Sequence, residues 1–336
     1  MTATRVAAID CGTNSIRLLV ADDDPSTGRL TDVARRSRIV RLGQDVDRTG
    51  RLAPEAVERV RVALVAYTGL CAELGVQRVR MVATSATRDA DNREAFRSMV
   101  RTTLGVEPEV ITGREEAELS FTGSLRDLAD ETAPPPRVVV DVGGGSTELV
   151  LGDKDAVAAG YSMDIGSVRL TERHLRDDPP TAEQVAAARA DIRAALAQAR
   201  AEVPVRQARS LIGVSGSVTT VAGLALGLDE HDPYRIHHAR IPAEEVRAVA
   251  ADLLGSTRAQ RAEHKVINAG RVDVIAAGAL ILSEVLDEVG VTALVASVYD
   301  ILDGLAQSVL ERTAGEPVWS GSDGRGPAGR ADQPGC

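Results

Sequence analysis

Short apolar runs alternate with polar, glycine-containing turns through most of the chain, and longer stretches repeat their apolar residues at helical spacing. Residues 5–10 (RVAAID) predict a strand, CGTN a turn, and 16–21 (IRLLVA) a second strand. DDDPSTG reads as a loop, and 30–42 hold a third strand ending in RLG. Pro54 beside Glu55 marks a helix start. Val57, Val60, Leu64 and Tyr67 carry its apolar face to about Leu74, where Gly75 stops it. Residues 78–87 predict a strand running into a polar turn, 91–105 a helix closed by Gly105, 107–113 a short strand and 114–125 a helix. The polar stretch 126–136 (RDLADETAPPP) ends in three prolines and reads as the crossing between two domains. Beyond it come a hairpin over 138–151, a strand over 156–162, a helix start at 166–175 and a helix over 181–201 with Val185, Ile192 and Leu196 on one face. A strand, glycine turn and helix follow over 209–226, then helices over 242–254 and 271–289, the latter apolar nearly all round and so expected to be buried. A last strand at 293–297 and a last helix at 299–312 complete the pattern.

One hairpin turn carries more glycine than a turn needs. In RVVVDVGGGSTELVLG (137–152), Gly143, Gly144 and Gly145 remove every Cβ and expose successive backbone N–H groups, the means by which a phosphate is cradled. Asp141 and Glu148 flank the cradle, and two carboxylates beside a phosphate site suggest a divalent cation such as Mg²⁺. The stretch has no lysine and runs into no helix, so it is not a Walker loop. It has an echo: Asp10, Gly12, Ser15 and Leu18 fall at the same offsets as Asp141, Gly143, Ser146 and Leu149. Two such turns predict two related α/β halves, each presenting a glycine turn to a shared cleft that closes on a ligand. A third glycine turn (Gly213, Ser215, Gly216, Ser217) joins a strand to a helix whose N-terminus adds further N–H groups.

Bulk properties narrow the partners. A chain of 336 residues exceeds what one core usually serves, which favours two domains. The net charge of −10 and an aromatic content of 2% argue against a nucleic-acid surface, so any anion must be held by a local site. No apolar run reaches the ~18 residues of a membrane span, no signal-peptide pattern opens the chain, and three cysteines make no disulfide framework. A cytoplasmic setting is expected. The segment 314–336, rich in Gly, Pro, Ser and Asp and including Cys336, is expected to lack fixed structure.

The motifs resemble those of the exopolyphosphatase and guanosine pentaphosphate phosphohydrolase family, within the actin-like ATPase superfamily. The matching stretches are DCGTNSIRLLV (10–20), ATSATRDADN (83–92), ITGREEAELSFTG (111–123), VVDVGGGSTELVLG (139–152), IGSVRLTE (165–172), GVSGSVTTVA (213–222) and GRVDVIAAGALIL (270–282), in family order. The resemblance implies two ribonuclease-H-like (actin-like) α/β domains flanking a central cleft. These would cover roughly 1–125 and 135–297, with the last helix (299–312) packing back onto the first. It implies hydrolysis of a terminal phosphoanhydride of polyphosphate, or of the stringent-response nucleotide pppGpp, with a low-turnover sensor of either anion as the alternative of a different class. Larger family members carry a C-terminal HD-type region, and its lack here sets an expectation of reduced processivity on long chains. Oligomeric state stays open, a homodimer included.

The resemblance assigns roles residue by residue. Glu116 falls on the general base, Asp141 and Glu148 on the metal and water ligands, and Arg88 on a phosphate contact. Asp10, Gly12, Thr13, Asn14, Ser15 and Arg17 form the first phosphate loop. Gly143 to Gly145 with Ser146 and Thr147 form the second, and Gly213, Ser215, Gly216 and Ser217 the third. From the residues alone, the acids of Glu115, Glu116 and Glu118 equally fit a favourable interaction with a helix dipole. Strand alternation aims Arg17 either at the cleft or at solvent. Arg35, Arg36, Arg38 and Arg41 read as a solvated face, and Arg169 as a cation for a more distant phosphate. His231, His237 and His238 read as a polar loop, and Cys11 as a small filler.

Overall fold

The computed structural model describes residues 4–24, 27, 29–154, 156–311 and 319. Strands β1 (Arg5–Cys11), β2 (Ser15–Asp24), β3 (Arg29–Ile39), β4 (Arg78–Ala83) and β5 (Glu109–Val110) form one sheet in the order β3-β2-β1-β4-β5. Strands β6 (Arg137–Val142), β7 (Thr147–Gly152), β8 (Val157–Met163), β9 (Ser210–Val214), β10 (Arg240–Pro242) and β11 (Ala293–Ala296) form a second, ordered β10-β11-β9-β6-β7-β8. In each sheet the first strand pairs antiparallel with the second and parallel with the fourth. With β6, β7, β8, β9 and β11 set against β1 to β5 the two orders coincide, and β10 is an added edge. The echo of Asp10 in Asp141 is therefore a duplicated fold of two ribonuclease-H-like α/β halves.

Burial explains which strands the sequence shows most plainly. Every residue of β6 and β7 is buried, and their middle residues, 138–140 and 149–151, read as short apolar runs flanked by the buried acids Asp141 and Glu148. The outer strand β3 is mostly exposed and carries Arg35, Arg36 and Arg38, charges that discourage edge pairing. In β1 the pleat splits the core. Ala7, Ile9 and Cys11 pack with helices Pro54–Glu73 and Arg93–Leu104, whereas Val6 and Ala8 pack with helix Ile301–Glu311. Asp10 shares the face of Val6 and Ala8. In β6, Val139 shares a face with Asp141 and packs with Ala117 and Phe121 of helix Gly113–Ser124. Each sheet thus receives on its acid-bearing face a helix delivered by the other end of a chain crossing. The two helices meet where Gly123 lies against Asp300 and Gly304.

Several details depart from the pattern reading. The expected turn after β4 is a short helix, Ser85–Asp89. The expected glycine turn at 213–217 does not exist: β9 passes straight into helix Ser215–Ala225 at Ser215, whose φ is 83°. The strand expected over 107–113 is reduced to β5. The helix Ile275–Val289 is buried along nearly its whole length. Most of the segment 314–336 lies outside the described residues. At Trp319 the backbone N–H donates to the Gln77 carbonyl at 2.7 Å and the indole N–H to the Leu104 carbonyl at 3.0 Å. Among the described residues no helix is long and apolar enough to cross a membrane.

Candidate active site

The two turns that end β1 and β6 face each other across a narrow cleft open to solvent. Their glycines let the jaws close. A Cβ on Gly144 would sit 3.0 Å from Thr13 Cβ, and one on Gly145 would sit 2.6 Å from Thr13 Oγ1 and 2.5 Å from Ser85 Oγ. None of the three requires a left-handed backbone. Gly12 and Gly143 tighten the two turns alike, each donating its N–H to the serine carbonyl three residues on, at 2.9 Å to Ser15 and 3.0 Å to Ser146. The N–H groups between them, of Thr13 and Asn14 in one jaw and Gly144 and Gly145 in the other, meet no protein acceptor among the described residues. Thr13 Oγ1 and Asn14 Nδ2 are buried without a partner as well. Backbone polar groups are rarely left unpaired when buried, so this set of donors is built for an anion.

Carboxylates surround the donors. Asp10 stands opposite Arg17 across β1 and β2, and Asp141 stands opposite Glu148 across β6 and β7. Asp141 accepts from Ser120 Oγ at 2.7 Å and Glu148 from Ser162 Oγ at 2.6 Å. Glu116, buried, accepts from Arg88 at 3.0 Å, while Arg88 also donates to the Ile111 carbonyl at 3.1 Å. Burial pushes the Glu116 carboxyl up to about 7 against the opposing pull of Arg88. Burial, then the charge of Asp300, pushes Asp141 up to about 6. Burial, then Glu116 and Asp141, drives Glu148 well up. Asp10 rises through burial although Arg17 opposes it.

Of the residues expected at the site, the structure brings Asp10, Gly12, Thr13, Asn14, Ser15 and Arg17 to the cleft wall. Opposite them lie Asp141, Gly143, Gly144, Gly145 and Ser146, with Glu116, Ser215 and Gly216 completing the lining. Others are set back. Glu148 stands behind Asp141, and Arg88 holds Glu116 rather than facing the cavity. Thr147 donates to the Ile165 carbonyl at 2.8 Å. Gly213 is small because Val218 and Leu294 crowd it, and Ser217 packs against Gly278. None of these last three lines the cleft: Thr147 is engaged by its hydrogen bond, Gly213 and Ser217 by packing. Arg169 is also absorbed: it donates to Gly145 O at 2.6 Å and pairs with Asp47 and Asp89, so it ties the jaws together.

Two residues at or beside the cleft escaped the sequence reading. Arg271 lines the cleft against Gly216 and has no ion-pair or hydrogen-bond partner for its side chain among the described residues. Burial and then the neighbouring Arg17 push its guanidinium down to about 10. Its only sequence signal was its place in GRVDVIAAGALIL. Asp300, buried, pairs with Arg17, and nothing near it in sequence announces this.

Two anion loops closed over buried acids between duplicated α/β halves form a site suited to phosphate chemistry, and the family comparison makes it that of a phosphohydrolase. The model of the Ppx/GppA phosphatase family matches residues 19–313, and the chain belongs to that family. Exopolyphosphatase 2 of Mycobacterium tuberculosis is 49% identical over 320 residues, covering 92% of this chain and 99% of that protein. The crystal structure of an exopolyphosphatase-like protein superposes with a TM-score of 0.88 at 45% identity, over 92% of this chain and 98% of the other. An Aquifex aeolicus member of the Ppx/GppA family superposes with a TM-score of 0.76 at 29% identity, over 94% and 100%.

Proposed function

We propose that the chain is an exopolyphosphatase that removes the terminal phosphate of inorganic polyphosphate. The observation that carries the reading is the matched pair of turns, whose Thr13, Asn14, Gly144 and Gly145 N–H groups, like the Arg271 side chain beside them, meet no partner among the described residues. The name borne by the Mycobacterium tuberculosis relative supports the substrate.

In this reading the turn N–H groups hold the terminal phosphoryl oxygens and Arg271 holds the departing chain, so that charge shifting onto oxygen meets preorganised donors. Glu116 accepts a proton from water as the water oxygen bonds to the terminal phosphorus and the bridging P–O bond breaks. The proton then passes to solvent or to the departing phosphate. Arg88 keeps the Glu116 carboxylate oriented and ionisable near neutral pH.

The donor set suits a divalent cation, which we take to be Mg²⁺ held by Asp141 and Glu148. Five carboxylates (Asp10, Glu116, Asp141, Glu148, Asp300) gather around three guanidiniums (Arg17, Arg88, Arg271), and burial first, then neighbouring acid charge, raises the pKa values of Asp10, Glu116, Asp141 and Glu148. No three His, Cys, Asp or Glu side chains gather to hold a metal unaided among the described residues. That fits a hard cation that takes one or two carboxylates and completes its shell with water and phosphate oxygens. When bound, such a cation neutralises phosphate charge and polarises the phosphoryl group.

Two measurements test the reading. Phosphate release is expected to be faster from polyphosphate than from pppGpp; a preference for pppGpp, or tight binding of either without release, would overturn it. The second is thermal. The raised pKa values mean that ionising these acids opposes folding, so their contribution is intact below about pH 4 and lost as pH rises through the values near 6 and 7. Mg²⁺ is therefore expected to raise the melting midpoint more at about pH 8 than at about pH 5. Equal shifts at the two pH values would remove the acids as the cation's ligands.

A further inference from the structure

The two jaws are built alike and charged differently. Where the second jaw sets Glu148 opposite Asp141, the first sets Arg17 opposite Asp10. A guanidinium on the cleft wall looks made for phosphate, yet Arg17 is already engaged. Its Nε and one terminal nitrogen donate to Asp10 Oδ2 at 3.1 and 2.6 Å, and its other terminal nitrogen donates to Asp300 Oδ2.

Asp300 comes from the far end of the chain and is fixed at both oxygens. Its Oδ1 accepts the Leu302 N–H at 3.0 Å, capping helix Ile301–Glu311, while its Oδ2 holds Arg17. Its own N–H donates to Asp303 at 3.0 Å, and Asp303 is clamped by Arg35 at 2.6 Å and by Arg126 at 3.0 Å. The carboxylate is thus not free to swing away when an anion arrives. Asp300 is also the acid whose charge acts on Arg271, which has no side-chain partner among the described residues. The helix cap alone would need one oxygen acceptor and no charge at this position, so the cap does not account for the contact with Arg17.

We propose that Asp300 is a specificity-determining internal counter-anion: it occupies Arg17 as a substrate oxyanion would, and so weakens the hold of the cleft on phosphate chains and on released phosphate. The inference rests on the phosphoanhydride reading of the cleft. A phosphate oxygen that reaches Arg17 meets a guanidinium shared by two carboxylates and a fixed negative charge beside it. Binding of the whole anion is loosened, and departure of the product is eased.

Asp300→Asn retains size and a capping oxygen while removing the charge. In a Glu116→Gln background, which holds substrate without cleaving it, Asp300→Asn is expected to tighten tripolyphosphate binding by calorimetry about tenfold, with a steeper salt dependence. In the otherwise native enzyme, inhibition by inorganic phosphate is expected to tighten by a similar factor. Asp300→Ser, which also caps without charge, should show the same gain, and Asp300→Glu should show none. Affinities within twofold of the parent, or weaker binding in both uncharged variants, would overturn the proposal. Phosphate release by the native chain separates the two levels. If it cleaves polyphosphate and Asp300→Asn changes no affinity, only the role of Asp300 fails; if it neither binds nor cleaves polyphosphate, the cleft reading fails with it.

Discussion

Glu116→Gln is expected to lower kcat on polyphosphate by about 10³-fold while the KM stays within about threefold of the native value. The substitution keeps the volume of the side chain, and its amide oxygen still accepts from Arg88, which lies 3.0 Å from the native carboxylate. It removes the ability to take a proton. The anion-binding donors belong to the two turns and are untouched, so the loss should fall on the chemical step. The pH profile supplies a second readout. A base must be ionised to act, so native kcat/KM should rise with pH through about 7, the value to which burial pushes Glu116. Glu116→Gln should lack that limb. Arg88→Met removes the charge that pulls the Glu116 pKa down, and should move the limb to higher pH. Retention of more than a tenth of native kcat by Glu116→Gln, or survival of the limb in it, would transfer the role of base to another group.

What the sequence made legible, and what it hid, follows from how far each feature depends on distant chain. The paired turns were visible because both jaws repeat Asp, Gly and Ser at the same offsets, and because close approach to Thr13 and Ser85 leaves little room for a Cβ at Gly144 and Gly145. Central strands were visible because burial on both faces favours apolar residues, as in 138–140 and 149–151. Glu116 was visible as an acid but not as a buried one. Acids in a first helical turn are usually satisfied by the helix dipole, and only the fold shows this one facing Asp10 and Asp141. Asp300 lay beyond reading, since its partner is 283 residues away and a capping aspartate is common in any polar turn. Gly213, Ser217 and Arg169 present the opposite case. Their residue types suit a phosphate site, but packing against Val218, Leu294 and Gly278 consumes the first two, and Asp47 and Asp89 consume the third.

Gly304→Ala is expected to destabilise the protein by about 3 kcal/mol, lowering its melting midpoint by roughly 5–10 °C. A Cβ at Gly304 would stand 2.1 Å from the Leu119 carbonyl oxygen and 3.1 Å from the Gly123 nitrogen, so the obstruction is backbone and no side chain can rotate out of the way. The reciprocal contact is equally tight: a Cβ at Gly123 would stand 1.9 Å from the Asp300 carbonyl oxygen. Helix propensity favours Ala over Gly by at most about 1 kcal/mol, too little to offset such a clash. Gly69, inside helix Pro54–Glu73 with nothing near its missing Cβ, provides the control, and Gly69→Ala is expected to leave the midpoint unchanged or raise it. The clash also bears on activity. Leu119 lies on the helix that carries Glu116, and Gly304 on the helix that Asp300 caps, so separating the helices displaces Glu116, the proposed base, from one jaw and Asp300 from the other. The folded fraction of Gly304→Ala should therefore release phosphate more slowly per active molecule than its stability alone accounts for. A variant that melts like the native protein would show that the two helices do not cross backbone to backbone. One that melts early but turns over normally when folded would show that the crossing holds the fold without positioning the base.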